Sequence, residues 1–263
     1  MVKFDRKKFL KKAEEGVQKE LSSPDHLIIQ TVNALDELNK IFNLCFERVS
    51  EWYAIHFPEL KLKEPKKYLL VASFFNRKNP SKEKLEEILG QQASSVLQLS
   101  KNSVGVILDD EDFEPIKEYA LLGLEIYDKK EKLENYLKKL TKRVAPNLAY
   151  LCGEILAARL IEKAGGLNKL ATFPSSTIQV LGAEKALFKH LKSGSPPPKH
   201  GIIFQHPSIS GTSKKLRGKI ARTLASKIAI AAKADAFSKQ FIAQKLKEKF
   251  DQRIKNILNK GGG

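Results

Sequence analysis

The sequence of 263 residues holds only two cysteines, Cys45 and Cys152, and neither stands in a CxxC pair. A disulfide scaffold is therefore excluded, and so is a thiol-based zinc ribbon. Long apolar runs are missing as well. Uninterrupted stretches such as residues 69–72 fall far short of the roughly 20 apolar residues that cross a bilayer, so no membrane partner is expected. Residues 1–12 (MVKFDRKKFLKK) are basic rather than apolar, and no secretory leader is expected there. The phosphate loops GxxxxGK[ST] and GxGxxG are absent, as are GxSxG and HExxH. Strand-like signal is thin and confined to residues 68–75 and 201–204.

Metal and redox chemistry find little support. The histidines are His26, His56, His190, His200 and His206, and the last three share a stretch with no thiol or carboxylate in its loop. Imidazole alone is a poor zinc set, so no metal is expected. The acidic run at 109–112 lacks the alternation and the glycine of a calcium loop. Cys152 falls on an apolar helix face and reads as a small core residue. No catalytic residue, no cofactor and no enzymatic activity are therefore expected.

What the sequence has is positive charge with an address. It carries 47 Lys+Arg against 30 Asp+Glu. Residues 1–140 contain 24 bases and 24 acids, whereas residues 141–263 contain 23 bases and 6 acids. The whole excess of +17 therefore lies in the second part. Such asymmetry points to two jobs, with a polyanion partner for the basic part.

Periodicity fills in the architecture. From Asp25 the chain runs without Gly or Pro to Pro58. Apolar residues recur at Ile28, Val32, Leu35, Phe42, Phe46, Val49 and Tyr53, with Asn39 in the missing slot. That is the spacing of a coiled-coil seam. A second stripe (Ala34, Leu38, Ile41, Cys45, Trp52, Ile55) implies a further neighbour. Residues 113–145 repeat the pattern with Leu122, Ile126, Leu133, Tyr136 and Leu140, opened by Pro115 and closed by Pro146. The expected fold is all-α. A long antiparallel coiled-coil hairpin with an insert at its tip is followed by a compact helical domain. The expected divisions are a basic lead-in over 1–24, an arm over 25–146 with its insert at 58–112, a basic domain over 147–260 and a tail at 261–263. The insert contains a helix candidate at 81–89, stopped by Gly90. The basic domain is expected to hold helices over 147–164, 166–173, 175–192, 213–234 and 238–259.

The bases themselves form a pattern. Lys215, Lys219 and Arg222 lie at helical spacing on one face, opposite Ile220, Leu224 and Ile228, and Lys214 and Arg217 stand beside them. A basic helix start favours phosphate through its free N–H groups. The loop Pro198-Lys199-His200-Gly201-Ile-Ile-Phe204-Gln205-His206-Pro207 offers imidazole, amide and ring groups suited to unpaired bases. A DNA-reading helix would present Asn, Gln and Arg along its exposed face. Contacts in loops and at helix ends favour RNA, or a surface made jointly by RNA and protein.

These residues resemble a known family. Gly182-Ala-Glu-Lys185-Ala-Leu-Phe188-Lys-His190-Leu, then Pro197-Pro-Lys-His200-Gly-Ile-Ile-Phe-Gln-His206-Pro, then Arg217-Gly-Lys-Ile-Ala-Arg222 are similar to the Nop-domain signature. Residues 27–38 (LIIQTVNALDEL) and 51–58 (EWYAIHFP) resemble the first coiled-coil helix of the same family. The likeness spans residues 25–258 and points to the scaffolds of archaeal box C/D RNA-guided methylation particles. It implies dimerisation through the coiled coil, with Leu35, Asn39, Phe42, Phe46, Val49, Tyr53, Leu133 and Leu140 as seam positions. It also implies binding of a box C/D guide RNA at a kink-turn already held by a small kink-turn-binding protein. Gly182, Glu184, Lys185, Lys189 and His190 would meet that joint surface. Lys199, His200, Gln205 and His206 would meet the RNA loop, and Lys214, Lys215, Arg217, Lys219 and Arg222 the phosphates. Leu187 and Phe188 read as core.

In the family, an N-terminal domain binds fibrillarin, the S-adenosylmethionine-dependent enzyme of ribose 2′-O-methylation. Only 24 residues precede the coiled coil here, so fibrillarin is expected as a partner only where that domain is supplied. Residues 208–215 (SISGTSKK) are polar and basic where relatives carry aromatics, which weakens a stacking role for that stretch. Localisation would be cytoplasmic in an archaeon and nucleolar in a eukaryote. The alternative within the family is a spliceosomal-type Nop protein that binds a small nuclear RNA. A nucleic-acid-modifying enzyme is disfavoured by the missing cofactor loop.

Overall fold

A computed structural model describes residues 6–259, and these residues contain helices and turns but no strand. The tail at 261–263 and the first five residues of the lead-in lie outside the described residues. In chain order the helices are α1 (Arg6–Leu21), α2 (Asp25–His56), α3 (Pro65–Ala72), α4 (Lys82–Leu89), α5 (Gln92–Lys101), α6 (Asp110–Val144) and α7 (Pro146–Cys152). They continue with α8 (Glu154–Ala164), α9 (Leu167–Thr172), α10 (Ser175–Val180), α11 (Glu184–Ser193), α12 (Pro207–Ser210), α13 (Arg217–Lys233) and α14 (Ala243–Asn259). A 3₁₀ turn spans Ile202–Gln205, and a π turn spans Ala234–Ser238. No described helix is long and apolar enough to cross a membrane.

The long helices follow from local chemistry. α2 fills the Gly- and Pro-free stretch. α6 carries Asp110, Glu111 and Asp112 in its first turn and Lys142 and Arg143 in its last. This charge order complements the helix dipole. The acidic run is thus a helix start rather than an isolated turn. The two strand-like stretches take helical turns instead. Tyr68, Leu69, Val71 and Ala72 put one helical face into a core, which outweighs their β preference.

The chain divides into two compact units, residues 34–134 and residues 1–33 with 135–263. In the first, α2 and α6 run antiparallel. Phe42 meets Tyr127 with ring centroids 5.4 Å apart, and Tyr53 meets Phe113 at 6.3 Å. At Gly123 an added Cβ would lie 3.6 Å from Cys45 Cβ, so the helices approach closely there. The far end is closed by α3, α4 and α5 around Phe57, Leu69, Phe75, Leu85 and Ala93, all fully buried. α4 has Ser81 at its N-cap position and stops at Gly90 as expected.

A polar knot secures that closure. The His56 ring is buried; its Nδ1 lies 2.9 Å from the Val106 carbonyl, and its Nε2 accepts from the Arg77 N–H at 2.9 Å. The Arg77 guanidinium donates to the carbonyls of His56, Ser100, Ser103 and Gly105. Burial and the nearby Arg77 charge push the His56 pKa down, which keeps the ring neutral.

Two expectations for the arm need correction. Leu35, Phe42, Val49, Tyr53 and Leu140 are buried within the chain, and Asn39, Phe46 and Leu133 are half-buried. Phe46 packs on Tyr68, and the Tyr53 hydroxyl donates to the Phe75 carbonyl at 2.8 Å. The seam is therefore filled intramolecularly and is not a face free for a second copy. Exposed apolar residues include Leu27, Ile41, Leu44 and Ile55 on α2, with Leu121, Leu122 and Tyr136 on α6. On α6 the buried face runs through Phe113, Ile116, Ala120, Leu137 and Leu140, whereas Leu122 and Tyr136 are exposed. The pattern read on that helix was displaced from its true core face.

The second unit centres on α13. Its buried face (Ile220, Ala221, Leu224, Ala225, Ile228, Ala231, Ala232) is rich in alanine, which lets α7, α9, α10 and α14 pack close. The arm's expected span of 25–146 is trimmed here, because the ends of α2 and α6 belong to this unit. The Asp25 carboxylate accepts from the Leu167 N–H at 2.7 Å. The helix expected at 147–164 breaks at Gly153, whose φ of +83° ends α7. The last two helices begin a few residues later than expected, at Arg217 and Ala243.

Removing the Arg77 guanidinium would strand several carbonyls. Arg77→Ala should cost about 2–3 kcal/mol, the scale of hydrogen bonds to a charged group, and should lower the urea midpoint. An unchanged midpoint would show that water replaces the guanidinium.

Candidate nucleic-acid interface

The signature residues gather around one seam of the basic unit. Past α10 the chain reaches Gly182, whose φ is +83°. A side chain there would be strained, and its Cβ would sit 2.3 Å from Ile202 Cγ2. This glycine splits the helix expected at 175–192 into α10 and α11 and turns the chain. Gly201 answers it from the other side, since a Cβ there would lie 1.9 Å from the Leu181 carbonyl oxygen. The two strands of chain are then stitched together. Gly201 N–H donates to Gln179 O and Ile202 N–H to Leu181 O, both at 2.8 Å, and Gln179 Nε2 donates to Lys199 O at 2.8 Å. The proline-rich loop is thereby fixed against the end of α10.

Helix α11 has no buried residue. The Glu184 carboxylate accepts from the Gly182 N–H at 2.7 Å and so completes the turn. Lys185 and Lys189 are exposed, and half-buried His190 contacts the Ser195 carbonyl through Nδ1. Phe188 is 62% exposed and Leu191 70% exposed. The assignment of Phe188 to the core is therefore wrong, and Leu187 is only half-buried. Among the described residues, nothing covers this apolar face. Its signal was present in the sequence as an apolar pair inside the signature, but periodicity cannot separate a core face from a docking face.

The loop after it presents a stack. The His200 and Phe204 rings lie 4.6 Å apart and 17° from parallel, and the Arg217 guanidinium sits 5.1 Å from the Phe204 ring. Arg217 also donates through Nε to the Thr212 carbonyl at 2.9 Å. Burial and the Arg217 charge lower the His200 pKa, so the ring is neutral near pH 7. A neutral imidazole, a phenyl ring and a guanidinium plane are suited to receive a base face. Lys199, Gln205, Lys214, Lys215, Lys219 and Arg222 are exposed. Helix α13 starts without a side-chain cap, and its first turn is closed by backbone instead: Arg217 N–H donates to the Ser213 carbonyl at 3.3 Å and Lys219 N–H to the Leu216 carbonyl at 3.0 Å.

One predicted contact is not at the surface. His206 is 8% exposed. It occupies the N-cap position of α12, where Nδ1 accepts from the Ser208 hydroxyl at 2.7 Å, and its ring packs edge-on to Phe250 at 5.8 Å. It holds the loop's floor instead of touching RNA. Burial, then the Lys247 charge, lower its pKa. The folded chain thus resists a proton that the unfolded chain accepts near pH 6.5. Stability is full above that pH and is lost as pH falls through it. The melting temperature should drop between pH 7.5 and 5.5, and His206→Asn should flatten the dependence. An equally steep dependence in the variant would assign the effect elsewhere.

The described residues contain no group of three or more His, Cys, Asp or Glu placed to hold a metal ion. Cys152 is buried, with its thiol pushed up to about 12 by burial.

Comparison with known proteins agrees with this geometry. The family described as "Nop: snoRNA binding domain, fibrillarin" matches residues 34–256. An uncharacterised NOP5 family protein of Methanocaldococcus jannaschii is 47% identical over 240 residues, which cover 90% of this chain and 58% of that protein. Nucleolar protein 56 of Homo sapiens is 37% identical over 241 residues, covering 88% of this chain and 41% of that protein. The chain thus spans about half the length of these relatives. A crystal structure of a fibrillarin/Nop5p complex aligns with a TM-score of 0.55 at 28% identity, over 96% of this chain and 77% of that one. With the family match covering most of its length, the chain belongs to the Nop family.

Proposed function

We propose that this chain is a non-catalytic scaffold of a box C/D guide-RNA particle, binding a kink-turn RNA jointly with the protein that holds the turn. The observation that carries this reading is helix α11. It exposes Phe188 and Leu191 along with Lys185 and Lys189, and the turn before it packs on Ile202 in the loop that carries the stack of His200, Phe204 and Arg217. An apolar helix face suits a protein partner, and the adjoining cationic and aromatic surface suits RNA. The family description names snoRNA binding and fibrillarin, and a fibrillarin/Nop5p complex shares the fold. Where the family's fibrillarin-binding domain is supplied, recruitment of fibrillarin to methylate ribose 2′-OH groups of rRNA is the scaffold's downstream role. The neutral arm serves protein contacts, with self-association through the exposed face of Ile41, Leu44 and Ile55.

In a mobility-shift assay, binding to kink-turn RNA alone should be weak and salt-sensitive. It should tighten strongly when the kink-turn-binding protein is present. Equal affinity in both arms would overturn the joint mechanism. Phe188→Ala should weaken the three-component complex about thirtyfold, a hot-spot-sized loss, and leave binding to bare RNA unchanged. For the arm, light scattering at micromolar concentration should give a dimer. Leu44→Glu with Ile55→Glu should give a folded monomer, and a monomeric parent chain would remove self-association from the proposal.

A further inference from the structure

Beyond the signature, a groove lies between α13 and α14. It is lined by Arg222, Thr223, Ser226 and Lys227 from α13 and by Lys249 and Arg253 from α14. No carboxylate is among these residues. On α14, Lys247 stands 3.6 Å from Asp251. Among the described residues, none of the four groove cations has such a partner. The chain therefore holds four like charges in one concavity, an arrangement that repels itself until an anion occupies it.

The arrangement is regular. Lys249 and Arg253 stand four residues apart on one wall, as do Arg222 and Ser226 on the other, so each pair spans about 6 Å along its helix. The Thr223 hydroxyl donates to the Lys219 carbonyl at 3.0 Å and is committed to the helix. No such bond ties down the Ser226 hydroxyl among the described residues, and it remains a donor. Cations on two facing walls, with a hydroxyl on one of them, fit a chain of phosphates better than a single flat anion. Arg222 is common to the groove and to the basic face that begins at Lys215.

We infer that the α13–α14 groove is a second phosphate-backbone site. There, Lys227, Lys249 and Arg253 would take RNA that continues past the signature surface by way of Arg222. This extends the RNA reading proposed above and rests on it. The RNA footprint is then longer than the kink-turn itself.

The test uses the full chain with the kink-turn-binding protein and two sets of RNA, a minimal kink-turn and the same turn with either flanking stem lengthened. Salt titration of binding gives the number of phosphate contacts. Lys227→Ala with Arg253→Ala should shrink the salt slope by about one unit per lost contact on a lengthened RNA. The slope on the minimal RNA should stay as in the parent chain. Lys227→Arg with Arg253→Lys should keep the parent slope on both, which separates charge from packing. Unchanged slopes on every lengthened RNA would overturn the inference. If Lys215→Ala with Arg217→Ala weakened all RNAs in that same experiment, the signature-face reading would survive its loss. Failure of the parent chain to bind any of these RNAs would overturn both.

Discussion

A buried carboxylate joins the two ends of the basic unit. Asp235 is 1% exposed and lies in the π turn after α13. Its oxygens accept from the Asn147 and Leu148 N–H groups at the start of α7 and from the Asn147 side chain. Asn147 passes the linkage on, donating to Gln240 O and accepting from the Ile242 N–H. Burial raises the Asp235 pKa against the pull of these N–H donors. Every polar atom in the cluster has a partner, which is the condition under which a buried polar network fixes a unique packing. The start of α7, the end of α13 and the approach to α14 are thereby locked together.

Charge and apolar surface are separated along the sequence for a physical reason. Residues 34–134 pair their charges locally, as in Arg48–Glu51, Lys67–Glu64 and Lys117–Glu114. Exposed pairs of this kind contribute little to stability, but with 15 Lys+Arg against 19 Asp+Glu the unit keeps no positive excess. Residues 141–263 lack the acids to do the same. Their positive field is left for a partner to neutralise, and it steers association with a polyanion from a distance.

The sequence made the helical class, the ends of α2, the stop at Gly90 and the uneven charge legible, because each rests on local chemistry or simple counting. It also carried the signature in which His200, Phe204 and Arg217 come together. What it did not carry is which of two apolar stripes meets the chain itself. Phe42, Val49 and Tyr53 fit a coiled-coil seam with any partner helix, and only the fold shows that α6 and α3 fill it. His206 and Phe188 exchanged roles for the same reason. A histidine in a polar loop became part of the floor, and a phenylalanine in a helix became surface. Burial is a property of the assembled unit and cannot be read from residue type. Glycines at positive φ, such as Gly153 and Gly182, cut predicted helices that periodicity alone would have continued.

Helix α11 is bounded by glycines at 182 and 194 and buries none of its side chains. It therefore contributes almost nothing to the core beneath it. Its residues are released from the demands of folding, and their identities can answer to whatever lies across the interface. Selectivity for one partner over another can then be rewritten on this single helix while the thermal stability of the rest stays put.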